Sequence, residues 1–345
     1  MKTTILKNLI KKMTNDSEAL IFGIAATKDT FGLLEKDIES EISIGYGESI
    51  EIKHTIKSIT LKTILSILDT EKSKDVELKI KDNQILCIID EQVLFTGEVE
   101  ETENELLNNK IIDNTNSIDE FIQSLKWMKS NMQKENDFDS YMYLVNNTIR
   151  SINIHSYRQV DIKDSINGSL HYNKVDWLIK RVFGKNKGVY QLEQNDDELI
   201  IYSNYTISKE KISLYIKIKI DNKSLEIKDF DRTRKDIKIN SNYLKTILNS
   251  HKDKITKAAL VKAQITASFE DQVLNFELIN KNQKLNIKAE ALYEIINDID
   301  ITLYAYLIAG VLSEFDNEDI YITSLTKNTV LIQNERLITI LSECK

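Results

Sequence analysis

No proline occurs anywhere in this chain of 345 residues, where average usage near 5% would put roughly 17. Cysteines number two, histidines four and glycines nine. Each shortage excludes something. Without proline, turns must rely on residues that tolerate left-handed backbone, and Lys81-Asp82-Asn83-Gln84 and Gln194-Asn195-Asp196-Asp197 have that chemistry. Cys87 and Cys344 are far apart and lack companion ligands, so neither a disulfide framework nor a zinc knuckle can be built from them. Cys87 falls in the apolar run Ile85–Ile89 and is expected as a small core residue. His54, His155, His171 and His251 show no metal-ligand spacing, so no metal is expected.

Long apolar runs are also missing. Nothing approaches the roughly 18 residues that span a bilayer, so no membrane contact is expected. The start, Met1–Lys7, lacks the apolar stretch and small-residue cleavage site of a secretory leader, and the expected location is cytoplasmic.

Enzyme signatures are absent too. Gly45-Tyr46-Gly47 has no third glycine and no strand–loop–helix setting. Gly184–Gly188 is too short for a phosphate loop, and Val189 stands where a lysine should follow. The acidic run Glu98–Glu105 is expected as solvated linker. A hydrolase on a mixed scaffold has no supporting constellation, and no catalytic residue or cofactor is expected. The net charge of -8 excludes an indiscriminate nucleic-acid coat, but leaves room for basic surface confined to one face. Lysine outnumbers arginine 40 to 6.

What the chain does have is a repeat. The pentapeptide Leu-Lys-Thr-Ile-Leu occurs at 61–65 and again at 244–248, each time with apolar residues at helical spacing. Four further amphipathic stretches are expected as helices: Ile5–Met13, Ser117–Gln133, Asn173–Lys187 and Asp300–Phe315. Starts at 5, 61, 117, 173, 241 and 300 give intervals of 56, 56, 56, 68 and 59, the signature of an internal repeat.

Between the helices the period changes to two. Val76–Lys81 turns at Asp82-Asn83 into Ile85–Ile89 as a hairpin. Leu199–Tyr202 with Leu214–Ile220, and Ile320–Thr323 with Val330–Gln333 and Leu337–Leu341, alternate likewise. The fold class is therefore α+β. Each unit is one helix plus antiparallel strands, and two units make a domain of ordinary size. Expected boundaries lie in polar stretches, giving domains 1–108, 109–222 and 223–345.

Three domains, each a doubled helix-plus-strands unit, resemble the bacterial DNA polymerase III beta subunit, the DNA sliding clamp, over nearly the whole chain. The resemblance is carried by Thr60–Leu65 with Val76–Lys81 and Asn83–Ile88, by Ile239–Leu244, and by the closing strands Ile320–Leu341. Two departures stand out. Ile152–Arg158 lies where such clamps carry Ala-Thr-Asp-Gly-His-Arg, and only Arg158 matches. The family's Met-Pro-Met-Arg-Leu tail is replaced by Thr339–Lys345.

The resemblance implies a ring-forming homodimer that encircles double-stranded DNA and tethers a replicative polymerase as its processivity factor. Phosphate repulsion demands positive charge on the helices that line such a hole. The candidates are Lys7, Lys11, Lys12, Lys126, Lys129, Lys180, Arg181, Lys185, Lys245, Lys252 and Lys254. By family position, short peptides of a DNA polymerase and a clamp loader would dock at Tyr157, Arg158, Ile338, Ile340 and Leu341, and Phe95 and Ile255 would meet the second copy. The alternative is a clamp-like interaction or decoy protein that binds replication proteins without acting as a processivity factor.

Overall fold

The structure, a computed structural model, describes all residues except 15–18, 49, 72–74, 108–111, 113–115, 136–138, 183–187, 208, 226–230, 250–260, 281–282, 289–292, 314, 316 and 343–345. In chain order it opens with α1 (Thr3–Thr14), β1 (Ile21–Ala26), β2 (Phe31–Lys36), β3 (Ser40–Tyr46), β4 (Glu51–Lys57), α2 (Ser58–Thr70), β5 (Glu77–Lys81), β6 (Gln84–Ile89) and β7 (Gln92–Leu106). There follow α3 (Ile118–Asn131), β8 (Tyr141–Val145), β9 (Thr148–Asn153), β10 (Ser156–Asp161), β11 (Gly168–His171), α4 (Tyr172–Val182), β12 (Gly188–Asn195), β13 (Glu198–Ile207) and β14 (Glu210–Lys219). The last third holds β15 (Ile237–Asn240), α5 (Ser241–Asn249), β16 (Lys262–Ser268), β17 (Val273–Asn280), β18 (Gln283–Lys288), β19 (Tyr293–Ile295), β20 (Ile299–Tyr304), α6 (Ala305–Leu312), β21 (Asp319–Thr326), β22 (Thr329–Gln333) and β23 (Leu337–Ser342).

These elements pack as two compact units. Unit 1 is Met1–Lys126 with Lys163–Asn222, and unit 2 is Trp127–Ile162 with Lys223–Lys345. The stretch 109–222 contributes to both.

In unit 1 the strands run β12-β13-β14-β3-β2-β1-β4-β7-β6-β5, antiparallel at every pairing between these neighbours. Helix α1 packs on α2 because their apolar residues recur at helical spacing. Ile5, Leu6, Leu9, Ile10 and Met13 are fully buried on α1, as are Leu61, Ile64 and Leu68 on α2. Each such side chain contributes about 1.5–3 kcal/mol by leaving water. Gly97 of β7 faces Thr60 of α2, whose methyl would lie 2.5 Å from an added Cβ, so only a glycine lets helix and strand approach this closely.

Unit 2 contains the run β8-β9-β10-β23-β22-β21-β15-β19 and the separate sheet β18-β17-β16-β20. Its core joins Leu244, Ile247 and Leu248 of α5 to Ile308, Val311 and Leu312 of α6 and to Ile301, Leu303, Ile320 and Leu341 of the strands.

Turns work as the missing prolines require. Asp82 (φ 51°) and Asn83 (φ 57°) both take left-handed backbone, as the β5–β6 two-residue hairpin demands. Asn146, Asp196 and Gln272 do the same elsewhere. Cys87 is fully buried, and burial pushes its thiol up to about 11.

Two expectations are corrected. The acidic run Glu98–Glu105 is no linker: it lies inside the 15-residue strand β7, which pairs with β6 over its first half and β4 over its second. Its side chains show little alternation in burial, so the backbone ladder rather than side-chain periodicity makes it a strand. The sixth helix starts at Ala305 and not Asp300, because Ile299, Ile301 and Leu303 are buried at strand period in β20. Asp300 therefore lies outside α6, which contains no charged residue.

Candidate nucleic-acid interface and peptide groove

On α1 the residues opposite the buried stripe are Thr4, Asn8 and Lys11, all exposed, with Lys7 half-buried at the margin. Lys7 forms an ion pair with Asp69 of α2 at 3.4 Å. Lys12 is half-buried, its ammonium 5.2 Å from the centre of the Tyr205 ring. Burial lowers the Lys12 pKa from 10.5 to about 8 and pushes the Tyr205 phenol upward. Exposed Lys62 of α2 is a cation absent from the expected DNA-facing set; its place in the repeat, matching Lys245, was the signal for it.

The other expected cations scatter. Lys126 is exposed on α3 and Lys129 half-buried. Lys180 is exposed on α4 and bridges to Asp176 one turn back at 2.7 Å. Arg181 lies in the last turn of the same helix, its side chain outside the described residues. Lys185, Lys252, Lys254 and Ile255 also lie outside the described residues. Lys245 is half-buried and donates to the carbonyl of Phe315, which also accepts from the Ser241 hydroxyl at 3.1 Å. It ties α5 to the segment after α6.

The five residues expected at the peptide site divide between two faces of one sheet. In register, Tyr157 lies opposite Ile340, Arg158 opposite Thr339, Gln159 opposite Ile338 and Ser156 opposite Leu341. Directly opposed residues share a face and neighbours alternate. Arg158 and Leu341 therefore face one way, and Tyr157, Ile338 and Ile340 the other.

On the second face Tyr157 donates to the Gln159 side chain at 2.5 Å, and Gln159 donates to Asp161 at 3.2 Å. Asp161 in turn meets Arg232 at 3.4 Å.

On the first face is a groove of about 260 Å³ within unit 2. Its apolar surface comes from Tyr306, Leu307 and Val311 of α6, Leu341 of β23 and Ile154 of the β9–β10 turn. The β9–β10 turn forms one rim, held by the Asn153 carboxamide oxygen, which accepts from the backbone N–H groups of His155 and Ser156 at 2.8 Å each. Asn131 at the end of α3 is buried, donates to Ser151 at 3.2 Å and accepts from Asn153 at 2.8 Å.

Arg158 is 7% exposed. One of its terminal nitrogens donates to the Trp127 carbonyl and the Ser130 hydroxyl, both at 2.6 Å, and the guanidinium stacks 5.2 Å from the Trp127 ring centre. Charge-assisted bonds of this kind hold a cation rigidly.

Of the residues expected from sequence at the peptide site, Arg158 and Leu341 line this groove, and the α6 and α3 residues beside them are not among those expected there. No local signal marks them, since the groove assembles positions some 200 residues apart. Its chemistry suits an apolar side chain beside a hydrogen-bonding or anionic group.

The strand edges are the third feature. Gln92–Glu98 of β7 pairs with β6 along one edge, and no strand among the described residues meets its other edge. Val93 and Leu94 there are 54% and 41% exposed, and Phe95 is half-buried. Strand β18 ends its own sheet. Among the described residues no group of three His, Cys, Asp or Glu side chains is placed to hold a metal, and no helix is long and apolar enough to cross a membrane.

No protein-family model matches this sequence, and no curated protein does. Solved structures do match its fold. The beta subunit from DNA polymerase of Streptococcus pyogenes aligns with 100% of this chain and 99% of its own, at TM-score 0.66 and 10% identity. The Helicobacter pylori beta clamp bound to a DNA ligase peptide covers 100% and 99% at TM-score 0.63 and 12% identity. The same clamp in complex with diflunisal covers 100% and 98% at TM-score 0.65 and 12% identity. From end to end, the fold is that of these clamps.

Proposed function

We propose that this chain is a DNA sliding clamp: a ring of two copies encloses duplex DNA and carries replication enzymes held by short peptides. The full-length match to clamp folds is the observation that carries the reading. Three clamp domains at 1–108, 109–222 and 223–345 belong to it, as does action by binding alone, without catalysis.

Ring closure has support in the strand order. Strand β3, third in the run β1–β3, pairs with β14, third in β12–β14. Strand β10, third in β8–β10, pairs with β23, third in β21–β23. The remaining third strands are β18 of β16–β18 and β7 of β5–β7. A second copy would join them, and twofold symmetry would make both junctions at once. Glu91 and Glu98 are exposed beside one edge and Lys284, which also meets Glu277 at 3.6 Å, is exposed on the other. Phe95 lies on this edge, as the dimer reading requires. Free edges left open invite aggregation.

Duplex contact falls to Lys7, Lys11 and Lys62, with Lys126 and Lys180 on further helices. Such contacts position a duplex without reading its bases. The groove at Arg158 and Leu341 receives the partner peptide, as a ligase peptide is bound by the Helicobacter clamp.

The test is retention on DNA. Protein loaded on nicked circular plasmid by a matching loader should survive a high-salt wash and be lost once the plasmid is linearised. Equal loss from both forms overturns the clamp reading and leaves an interaction module that binds replication proteins. Sedimentation should show a dimer at micromolar concentration, and Val93→Asp with Leu94→Asp should give monomers.

A further inference from the structure

The pairing of β3 with β14 joins two stretches far apart in the chain, and a row of charges crosses it. Glu41 is 7% exposed, in a run with the buried residues Ile42, Ser43 and Ile44. Lys36 of β2 and Lys217 of β14 stand directly opposite it, one on each side. One oxygen of the Glu41 carboxylate lies 3.6 Å from the Lys36 ammonium and 3.9 Å from that of Lys217. Further out, Lys36 meets Glu105 at 2.8 Å and Lys217 meets Glu198 at 3.3 Å. The row therefore alternates in sign across β7, β2, β3, β14 and β13.

A carboxylate this deeply placed is costly unless cations accompany it. Buried ion pairs can often be replaced by apolar residues without loss of stability, so stability alone gives no reason for this one. What the pair adds is discrimination, because a wrong neighbour leaves a buried charge uncompensated. Strand β7 holds no lysine or arginine, and neither does β3 itself. If either lay beside β3 in place of β14, Glu41 would keep only Lys36, which Glu105 already engages. The seam between β10 and β23 sets no acid against a base: Arg158 is opposite Thr339 and Tyr157 opposite Ile340. Charge is thus not something every such seam requires.

We propose that Glu41 selects the neighbour of β3: held between Lys36 and Lys217, it admits β14 and rejects strands that bring no cation, among them β7 and the β3 of a second copy. The proposal rests neither on the ring nor on the groove, since it concerns any copy of the chain that folds near another.

Refolding of the full chain from urea tests it, with native mass spectrometry reading the species and the urea midpoint reading stability. The double variant Glu41→Leu with Lys217→Leu removes the selector and leaves Lys36 on Glu105. Its midpoint should equal or exceed that of wild type, while its refolded sample holds about tenfold more of assemblies larger than the wild-type species. Lys219→Leu, which frees Asp197 on the same strand pair, adds apolar surface without touching Glu41 and should refold as wild type does. A double variant that refolds to the wild-type species alone overturns the selector. So does a lower midpoint, which would make the row a stabilising feature only. Equal assembly by Lys219→Leu overturns it too, because added apolar surface would then be the cause.

Discussion

Helices α2 and α5 carry the same five residues, Leu-Lys-Thr-Ile-Leu, yet they present different chemistry. In both, the first leucine and the isoleucine are buried, and the lysine follows the leucine away from the core. Lys62 is exposed to solvent, whereas Lys245 turns back to the Phe315 carbonyl. Their neighbours diverge further. Helix α1, packed on α2, adds Lys7, Lys11 and Lys12, while α6, packed on α5, has no charge and opens onto a groove. Helices of one repeat thus sit beside a basic helix in one unit and an uncharged one in the other, and the partner element decides which surface results.

The comparison breaks first in the core. Leu61→Ala and Leu244→Ala remove equivalent leucines, 0% and 2% exposed, and should each cost about 2–5 kcal/mol in urea unfolding. A cost below about 1 kcal/mol at one of them would mean that the two repeats do not share a packing role.

Next comes Arg158→Met, which keeps volume but loses both hydrogen bonds and the stacking on Trp127. It should cost about 1–3 kcal/mol. It should also weaken a bound partner peptide about tenfold, whereas Lys11→Ala should leave the peptide unaffected. Fluorescence anisotropy reads both.

The charge difference is tested by salt. Each lysine released from phosphate lowers the slope of log affinity against log salt by about 0.9. The double substitution Lys11→Ala with Lys62→Ala should reduce that slope by about two, and Lys245→Ala should leave it unchanged because its ammonium is held by a backbone carbonyl. An equal fall for Lys245→Ala would erase the distinction between the helix pairs.

The smallest effect is at Lys12. Its folded pKa of about 8 lies below the 10.5 of a free side chain. Between those values the unfolded chain binds a proton that the folded chain does not, so stability rises with pH across that window. At pH 7 both states are protonated and the full penalty stands. Lys12→Met should stabilise by about 1 kcal/mol at pH 7, after discounting for partial exposure, and the gain should vanish above pH 10.5. A pH-independent difference would show that Lys12 keeps its ordinary affinity for a proton in the fold.

Local physics made much of the fold legible from sequence. Helices begin at Thr3, Ser58, Ile118, Tyr172, Ser241 and Ala305, close to the repeat, because a 3.6-residue apolar stripe needs only nearby residues to be recognised. The β5–β6 hairpin was equally visible, since Asp82 and Asn83 accept the backbone that two-residue turns require.

Tertiary structure alone decided the rest. Glu98–Glu105 became strand because β4, more than 40 residues earlier in the chain, supplies the ladder partners of Val99, Glu100, Glu101 and Glu105, and no side-chain pattern encodes that. Arg158 could be named from sequence as a pocket residue, but its partners Trp127 and Ser130 and the α6 wall could not. Which side of a strand faces a groove depends on register, and one residue of slip reverses it: register put Leu341 in the groove and Ile338 and Ile340 behind it. Period and turn chemistry are properties of neighbours along the chain, whereas register, edge pairing and the fate of Lys62 against Lys245 are settled only by what the fold brings across from elsewhere.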